Sequence, residues 1–196
     1  NDANIDGIMV DRPLPKQFDE NKIINSIIST KDVDGYTSLN LGNLVSNQSC
    51  LPSCTPGGAL RLLEYYDIDL SGKDALVIGR SVNVGKPLSL MLLNKNATVT
   101  ISHSKTVDLK EKCKTADIIF LALGRANFLK KEDITDNTII VDIGINFDEN
   151  GKMCGDASKE CYEIAASYTP VPGGVGVMTN VVLMENLLKA AKWNTK

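Results

Sequence analysis

The sequence predicts an α/β protein built on a doubly wound parallel sheet. From Lys73 onward, short apolar runs alternate with segments of helical periodicity, which is the order that βαβ units produce. Residues 75–78 are apolar throughout, as in a strand that is buried on both faces. Right-handed crossovers in such a sheet place ligands at the carboxyl ends of the strands.

The individual elements follow from periodicity and from capping residues. Residues 7–10 read as a short strand, Asp19 as the N-cap of a helix with an isoleucine stripe, and Thr55 with Pro56 as the start of a second helix. Further strands are predicted at residues 75–78, 98–102, 118–123 and 138–143, and further helices at 88–93, 109–115, 158–166 and 178–193. Residues 148–151 have the composition of a tight turn in a small hairpin.

Composition and charge exclude several classes of function. A chain of 196 residues that is 43% hydrophobic can form one domain and part of another. The net charge of −3 leaves no basic surface for nucleic acid, and no apolar run reaches the length of a membrane span. Five scattered cysteines and one histidine form no zinc motif. We therefore expect free thiols in the reducing cytoplasm and no bound metal.

The stretch from residue 75 to residue 87 carries the main functional signal. Gly79 ends the first buried strand, and Gly85 and Pro87 lead into the next helix. A strand, a glycine turn and a helix N-terminus direct backbone N–H groups at one spot, where a phosphate fits. The spacing G-R-S-x-x-V-G-x-P differs from the usual G-x-G-x-x-G. An ordinary strand-to-helix turn, in which glycine serves packing alone, is therefore the alternative.

The end of the second strand indicates which dinucleotide would bind. In NAD sites an Asp or Glu at this point takes the ribose 2′-hydroxyl, but here the sequence reads Ser102-His-Ser-Lys105. Arg80 follows the first strand directly. Cationic and hydroxyl donors suit a 2′-phosphate better than a bare diol, so NADP is favoured over NAD. The alternatives are surface charge for Arg80 and Lys105, and a loop histidine with satisfied hydrogen bonds for His103.

Seven short motifs occur in order along the chain: Lys31-Asp-Val-Asp-Gly35, Pro52-Ser-Cys-Thr-Pro56, Gly79-Arg-Ser-Val-Asn-Val-Gly-Lys-Pro87, His103-Ser-Lys-Thr106, Val141-Asp-Ile-Gly-Ile-Asn146, Gly155-Asp156 and Thr169-Pro-Val-Pro-Gly-Gly-Val-Gly176. Together, with this spacing, they resemble the bifunctional methylenetetrahydrofolate dehydrogenase/methenyltetrahydrofolate cyclohydrolase family. The resemblance implies an oxidoreductase and hydrolase of one-carbon metabolism and purine biosynthesis. It would oxidise 5,10-methylenetetrahydrofolate with NADP and hydrolyse the methenyl product to 10-formyltetrahydrofolate.

The resemblance also implies an architecture. Residues 1–54 would form the rear part of a folate domain, residues 55–170 a Rossmann-like NADP-binding domain, and residues 171–196 a loop and a return helix that packs on the folate domain. A cytoplasmic homodimer, joined through the nucleotide domains, is expected. The family's catalytic Tyr and Lys would precede residue 1. This chain alone would then lack them, together with the front of the folate domain.

Site residues are carried over from the matching motifs. Asp34 would hold the pterin ring of the tetrahydrofolate substrate, and Asp11 and Asp34 are the catalytic candidates. The substrate cleft would be lined by Cys54, Pro172, Gly173 and Gly174, although Cys54 is also explained as a small buried filler. Arg80 and Ser104 would grip the 2′-phosphate. The complete set of cofactor-binding candidates is Gly79, Arg80, Ser81, Val84, Gly85, Pro87, His103, Ser104, Gly144, Ile145 and Thr179.

Two positions depart from the family pattern. The family's Q-L-P-L stretch reads Asp11-Arg-Pro-Leu14 here, and the replaced Gln supports the catalytic Lys. A carboxylate in its place would favour the charged form of a nearby lysine, so an altered pH profile of the cyclohydrolase is expected. Val177 replaces the usual Pro after Gly176.

Two other functions fit the chain: a non-catalytic nucleotide-binding fragment or descendant, and an unrelated NADP oxidoreductase on the same sheet.

Overall fold

A computed structural model describes residues 2–195. Its centre is a sheet of five parallel strands in the order β2-β1-β3-β4-β7. Between β4 and β7, two short strands pair as an antiparallel hairpin. The strands are β1 (Asp74–Ile78), β2 (Thr98–Ser102), β3 (Ile118–Leu121), β4 (Ile139–Asp142), β5 (Asn146–Phe147), β6 (Met153–Cys154) and β7 (Ser167–Tyr168). The doubly wound parallel sheet and the small hairpin are both confirmed.

In the described part of the chain the strands are accompanied by six α-helices: α1 (Glu20–Asn25), α2 (Ser38–Val45), α3 (Cys54–Tyr65), α4 (Gly85–Leu93), α5 (Leu109–Thr115) and α6 (Val175–Asn194). Asp19 caps α1 as predicted, since its carboxylate accepts a hydrogen bond from the Lys22 backbone N–H at 3.1 Å. Along residues 2–195, no helix is both long and apolar enough to cross a bilayer.

The core occupies both faces of the sheet. Alternate side chains of each central strand point to opposite faces, so Val77 and Phe120 pack with α3 and α4 on one side. Ile78 and Ile119 pack with α5 on the other side. Both β1 and β3 are therefore buried on two faces, as their continuous apolar sequences predicted.

Helix α6 returns from the sheet to the first part of the chain. It packs along α3, where two glycines permit close contact: a Cβ atom on Gly58 would lie 2.8 Å from the Thr179 backbone nitrogen. Further along, Ala190 of α6 forms a small buried cluster with Val33 and Leu51. The helix thereby joins the segment around residue 33 to the part of the chain that forms the parallel sheet.

Several local predictions were wrong. Residues 7–10 form no strand and make a single parallel bridge, between Ile8 and Asp32, because the described residues provide no second strand beside them. Helix α3 begins at Cys54, one residue before the predicted cap, and the Ser53 hydroxyl at its N-cap donates to the Gly35 carbonyl instead of capping the helix. Residues 158–166 contain a 3₁₀ helix, Lys159–Glu163, in place of an α-helix.

Candidate functional site

The sheet has a topological switch point beside β1. From β1 the chain crosses to β2 on one side and later returns to β3 on the other. The loops that follow β1 and β3 consequently leave the sheet in different directions, and a crevice opens between them. Ligands of doubly wound sheets bind in this crevice, at the carboxyl ends of the strands.

Two glycines shape the loop after β1. Gly79 has φ +131°, a conformation that residues with a side chain rarely adopt, and a Cβ atom there would collide with the Ala122 carbonyl after β3. A Cβ atom on Gly85 would collide with the Gly79 carbonyl. The glycines therefore allow the β1 loop to pass close to β3 and let the first turn of α4 fold back onto it.

The β1 loop offers unpaired hydrogen-bond donors. The Ser81 hydroxyl accepts from the backbone N–H groups of Val84 at 3.1 Å and Gly85 at 3.3 Å, so the first amides of α4 are already occupied. Pro87, buried in the first turn of α4, has no N–H to offer. The backbone N–H groups of residues 80–83 have no acceptor within the described part of the chain. An anion at this crevice would therefore meet the loop amides rather than those of the helix.

In the loop after β3, by contrast, the backbone N–H groups already have an acceptor. The buried carboxylate of Asp156 accepts from the backbone N–H groups of Leu123 at 2.7 Å, Gly124 at 3.1 Å and Arg125 at 2.7 Å. These amides are consequently unavailable to a ligand. Of the two loops that border the crevice, the one after β1 has the free backbone donors for phosphate.

A second buried carboxylate, Asp142, organises the loop after β4. It accepts from the backbone N–H groups of Gly144 at 3.0 Å, Asp156 at 3.0 Å and Ala157 at 2.8 Å. Burial raises the pKa of Asp142 to about 6, although these hydrogen bonds oppose the shift. Cβ atoms on Gly144 and Gly155 would collide with the carboxylates of Asp156 and Asp142 respectively. The two motif glycines thus make room for the two acids.

The predicted cofactor residue Ile145 lies beside this acid pair. It is 62% exposed, although the residues on either side of it are held by hydrogen bonds to the carboxylates of Asp142 and Asp156. Gly144 is itself buried against Asp156. Gly144 is therefore covered, whereas the Ile145 side chain is accessible to a ligand.

The ends of β1 and β2 bring Arg80 and Ser104 to the same edge of the sheet. Ile78 pairs with Ser102, and the Gly79 N–H donates to the Ser102 carbonyl at 2.9 Å. Adjacent strands run about 5 Å apart, and both Arg80 and Ser104 are exposed just beyond this pair. A guanidinium and a hydroxyl in this arrangement suit an additional phosphate on a ribose.

His103 holds the turn between these residues. Its Nδ1 atom accepts from the Lys105 backbone N–H at 3.1 Å, and its own backbone N–H donates to the Thr106 hydroxyl at 2.9 Å. The ring therefore has a structural role in the turn, which is the alternative that the sequence left open. Nε2 remains as the ring atom for contact with a ligand.

A second group of predicted residues surrounds Asp34. The neighbouring Asp32 is buried, and its carboxylate accepts from the backbone N–H groups of Gly35 at 3.0 Å and Thr37 at 2.7 Å. Gly35 has φ +73°, and a Cβ atom there would lie 2.6 Å from the Leu51 carbonyl oxygen. Asp32 thus builds the turn, and Asp34 is left half-buried.

Cys54 lies next to Asp34 at the start of α3. Its thiol donates to the Val33 carbonyl at 3.2 Å, and burial together with the Asp34 charge raises the pKa of Cys54 to about 12. Asn186 of α6 spans the same place, because its side-chain amide donates to the Val33 carbonyl at 2.9 Å and the Pro52 carbonyl at 2.8 Å. Cys54 is therefore a neutral thiol, buried beside Val33 and Asn186.

Arg12 and Tyr36 complete this second group. The Arg12 guanidinium lies over the Tyr36 ring, 3.9 Å from its centroid. Burial raises the pKa of Asp34, and the Arg12 charge opposes that shift. Burial also raises the pKa of Tyr36 to about 12. Asp11 is exposed, and its carboxylate accepts from the Arg12 backbone N–H at 3.0 Å.

The loop before α6 contains three of the predicted substrate-cleft residues, Pro172, Gly173 and Gly174. Gly173 has φ +104°, and a Cβ atom on Gly174 would lie 2.5 Å from the Pro170 carbonyl oxygen. Both glycines line a cavity of about 520 Å³ between this loop, the end of α3 and β4, whereas Pro172 is exposed. The Thr179 hydroxyl donates to the Val175 carbonyl of its own helix at 3.1 Å.

Two family models match the chain. The model described as "Tetrahydrofolate dehydrogenase/cyclohydrolase, NAD(P)-binding domain" matches residues 53–195, and the catalytic-domain model of the same family matches residues 1–34. The chain belongs to this family. Its nucleotide-binding part is therefore an NAD(P)-binding domain, which agrees with the crevice between the loops of β1 and β3.

Relatives and solved structures agree with this assignment. The bifunctional protein FolD of Campylobacter hominis is 51% identical over 189 residues, which are 96% of this chain and 66% of that protein. FolD of Streptococcus pyogenes is 47% identical over 195 residues, which are 99% of this chain and 69% of that protein. The chain thus spans about two thirds of the length of these relatives.

Among solved structures, the bifunctional FolD enzyme from Campylobacter jejuni superposes with a TM-score of 0.93 at 46% identity, covering 95% of this chain and 67% of that one. The Trypanosoma brucei enzyme, solved with NADP and an inhibitor, has a TM-score of 0.88 at 30% identity and covers 97% and 68%. Both matches extend over nearly all of the present chain, so the structural similarity includes the segment that precedes β1.

Sequence reasoning missed several functional candidates. Asp142 and Asp156 belonged to recognised motifs, but no role was predicted for either. The available signals were the position of Asp142 at the end of a buried strand and the position of Asp156 directly after Gly155. Arg12, Tyr36 and Asn186 gave no local signal, because their neighbours in the fold are distant in sequence. Within residues 2–195, no cluster of His, Cys, Asp and Glu side chains is arranged to hold a metal.

Proposed function

We propose that this chain binds NADP and a tetrahydrofolate derivative for two reactions: oxidation of 5,10-methylenetetrahydrofolate and hydrolysis of the methenyl product. The observation that carries the proposal is the β1 loop, where the amides of residues 80–83 are free beside Arg80 and Ser104. The corresponding amides after β3 are occupied by Asp156. The family membership and the NADP complex of the T. brucei relative support the choice of cofactor and substrate.

The residues divide into those that align the rings and those that handle protons. NADP, when bound, supplies the acceptor for the hydride, so the protein must hold the two rings face to face. We assign this alignment to Asp34 on the folate side and to Ile145 and the Pro172–Gly174 loop on the cofactor side. Cys54 takes no nucleophilic part, because its pKa of about 12 keeps the thiol neutral.

The choice between NADP and NAD is tested by Arg80→Ala. A hydrogen bond to a charged group contributes about 1.5–3 kcal/mol, so NADP affinity should fall about 10- to 100-fold while NAD affinity stays nearly unchanged. Arg125→Ala is the matched control, since Arg125 is also exposed, on the loop after β3. Isothermal titration with both dinucleotides measures the effect. Equal losses for NADP and NAD would show that Arg80 only supports the fold.

The activity itself is tested by NADPH formation from 5,10-methylenetetrahydrofolate. The chain should be assayed alone and joined to the remaining third of the C. hominis relative. NADPH formation by the joined protein, with loss in an Asp34→Ala variant, is the expected result. NADP binding without NADPH formation in either form would favour the second candidate, a non-catalytic nucleotide-binding protein.

We infer a division into a folate part at residues 1–54, a nucleotide part at residues 55–170 and a return segment at residues 171–196. The cluster of Val33, Leu51 and Ala190 supports the assignment of α6 to the folate part. The hydrogen bonds from Asn186 to the Val33 and Pro52 carbonyls support it as well. Limited proteolysis that released residues 1–54 while α6 stayed with the sheet would contradict it.

We further propose a cytoplasmic homodimer joined through the edge of the sheet at β2. All five cysteines are free thiols, as a reducing compartment maintains them. Ile101 on the edge strand is 44% exposed and borders an apolar groove with Leu93 of α4, and an unpaired apolar edge invites pairing with a second copy. Ile101→Lys should convert the dimer to a monomer in sedimentation velocity, whereas Val107→Lys, elsewhere on the surface, should not.

A further inference from the structure

Asn186 of α6 reaches the turn that carries Asp34, although it lies 153 residues after Val33 in the sequence. The residue is 2% exposed. Its Nδ2 atom donates to the Val33 carbonyl at 2.9 Å and to the Pro52 carbonyl at 2.8 Å, and it lies 3.6 Å from the Cys54 sulfur. A side-chain amide has two N–H donors, so Asn186 is fully engaged as a donor to the backbone around Asp34.

The packing of α6 fixes the position of Asn186. A Cβ atom on Gly57 of α3 would lie 2.9 Å from the Val182 side chain, so α3 and α6 are in close contact about one turn before Asn186. About one turn beyond it, Ala190 is completely buried. Because the helix is closely packed on both sides of Asn186, the amide is held in place, and so are the carbonyl groups that it binds.

Two peptide groups flank Asp34, and each of them is anchored. The group before it contains the Val33 carbonyl, which accepts from Asn186 at 2.9 Å. The group after it contains the Gly35 N–H, which donates to the Asp32 carboxylate at 3.0 Å. Because a peptide group is rigid and planar, the two groups together determine the φ and ψ angles of Asp34. Those angles set the direction in which its side chain leaves the backbone.

Of the two donors to the Val33 carbonyl, Asn186 is the stronger. The Cys54 thiol donates to the same oxygen at 3.2 Å, but a thiol is a weak donor. Asp32 anchors the other peptide group from within the turn itself, whereas Asn186 belongs to a separate helix. The direction of Asp34 relative to the rest of the fold is therefore set from α6.

We propose that Asn186 is a positioning residue: by holding the Val33 carbonyl, it sets the direction of the Asp34 side chain and thereby the affinity for the tetrahydrofolate ring. This inference rests on the proposed function. A carboxylate that accepts hydrogen bonds from a flat ring needs a fixed direction, because each bond weakens as its angle departs from linearity. Helix α6 begins directly after the Pro172–Gly174 loop, to which we assign alignment on the cofactor side, so one helix links both sides.

Asn186→Leu removes both donors and keeps a side chain of similar size. Loss of one hydrogen bond to the Asp34 carboxylate should lower the affinity for 5-formyltetrahydrofolate, an air-stable tetrahydrofolate derivative, about tenfold or more in titration calorimetry. NADP affinity should change by less than about twofold, because the hydrogen bonds of Asn186 go to the turn at Asp34 and to the start of α3. Asn180→Leu, the same substitution at an exposed position of α6, should leave both affinities unchanged. Equal losses for the two ligands in Asn186→Leu would show a general structural role and overturn the inference.

A readout without folate separates this inference from the proposed function. The NMR coupling between the amide and α protons of Asp34 reports its φ angle, and it should change in Asn186→Leu but not in Asn180→Leu. An unchanged coupling, or an unchanged folate affinity, would overturn the inference. A changed coupling in a parent chain that binds no folate would support the role of Asn186 and overturn the proposed folate site. Circular dichroism first shows that each variant is folded; if Asn186→Leu is not, Asn186→Ser replaces it, because its shorter side chain also releases the Val33 carbonyl.

Discussion

The Asp156 carboxylate links the loops after β3 and β4, and Asp156→Asn removes half of its capacity to accept hydrogen bonds. Oδ1 accepts from the Arg125 N–H and the Asn146 amide at 2.7 and 2.9 Å, and Oδ2 from the Leu123 and Gly124 N–H groups at 2.7 and 3.1 Å. In either orientation, the amide nitrogen of an asparagine would face two of these donors. At about 1–2 kcal/mol for each unpaired donor, the free energy of unfolding should fall by about 2–4 kcal/mol.

Thermal unfolding followed by circular dichroism measures this loss. For a chain of this size, 1 kcal/mol shifts Tm by about 2–4 °C, so a decrease of about 5–15 °C is expected. Asp69→Asn is the control, because Asp69 is exposed and accepts one backbone hydrogen bond, from Ser71 at 2.9 Å. It should change the stability by less than about 0.5 kcal/mol. Equal Tm values for the two variants would refute the role assigned to Asp156.

Three further predictions concern other residues of the two sites. Burial raises the pKa of Asp142 to about 6, so between pH 4 and pH 6 the native carboxyl keeps a proton that the unfolded chain has released. The free energy of unfolding, relative to that of Asp142→Asn, should therefore fall by about 3 kcal/mol from pH 4 to pH 6. Urea unfolding measures this difference, and a difference that is the same at both pH values would contradict the prediction. Gly85→Ala should destabilise the protein by about 1–3 kcal/mol, because its Cβ would meet the Gly79 carbonyl, whereas Gly176→Ala, which meets nothing, should not. Iodoacetamide at pH 8 should label the half-exposed Cys154 well before the buried Cys54, whose pKa is about 12. Mass spectrometry of the native protein gives the order of labelling, and labelling of Cys54 first would show that its thiol is activated.

The elements with a strong local signal were predicted well. Asp19 caps α1, the hairpin closes at residues 148–151, and the four longer strands of the parallel sheet, β1 to β4, lie where the sequence predicts strands. One of the errors occurred where a pairing partner decides the structure. Residues 7–10 have the composition of a strand, but only Ile8 finds a neighbour to pair with. A short segment with strand composition remains irregular when no second strand is available beside it.

The two candidate sites differ in how far sequence reasoning reached. Arg80 and Ser104 follow neighbouring parallel strands, and strand order alone brings such residues to one edge. The pairing of Arg12 with Tyr36, and the hydrogen bonds of Asn186, join residues that are far apart along the chain. No periodicity or spacing encodes contacts of this kind.

What the sequence determined by itself was the alternation of strands and helices, the glycines that the β1 loop needs and the family to which the chain belongs. These depend on interactions between neighbouring residues or on motifs in register. Only the tertiary structure decided which loop keeps its amides free, which acids are buried as acceptors and which side chain of α6 holds the turn at Asp34. Those properties depend on burial and on the electrostatic field of residues brought together by folding, and both arise only when the chain has packed.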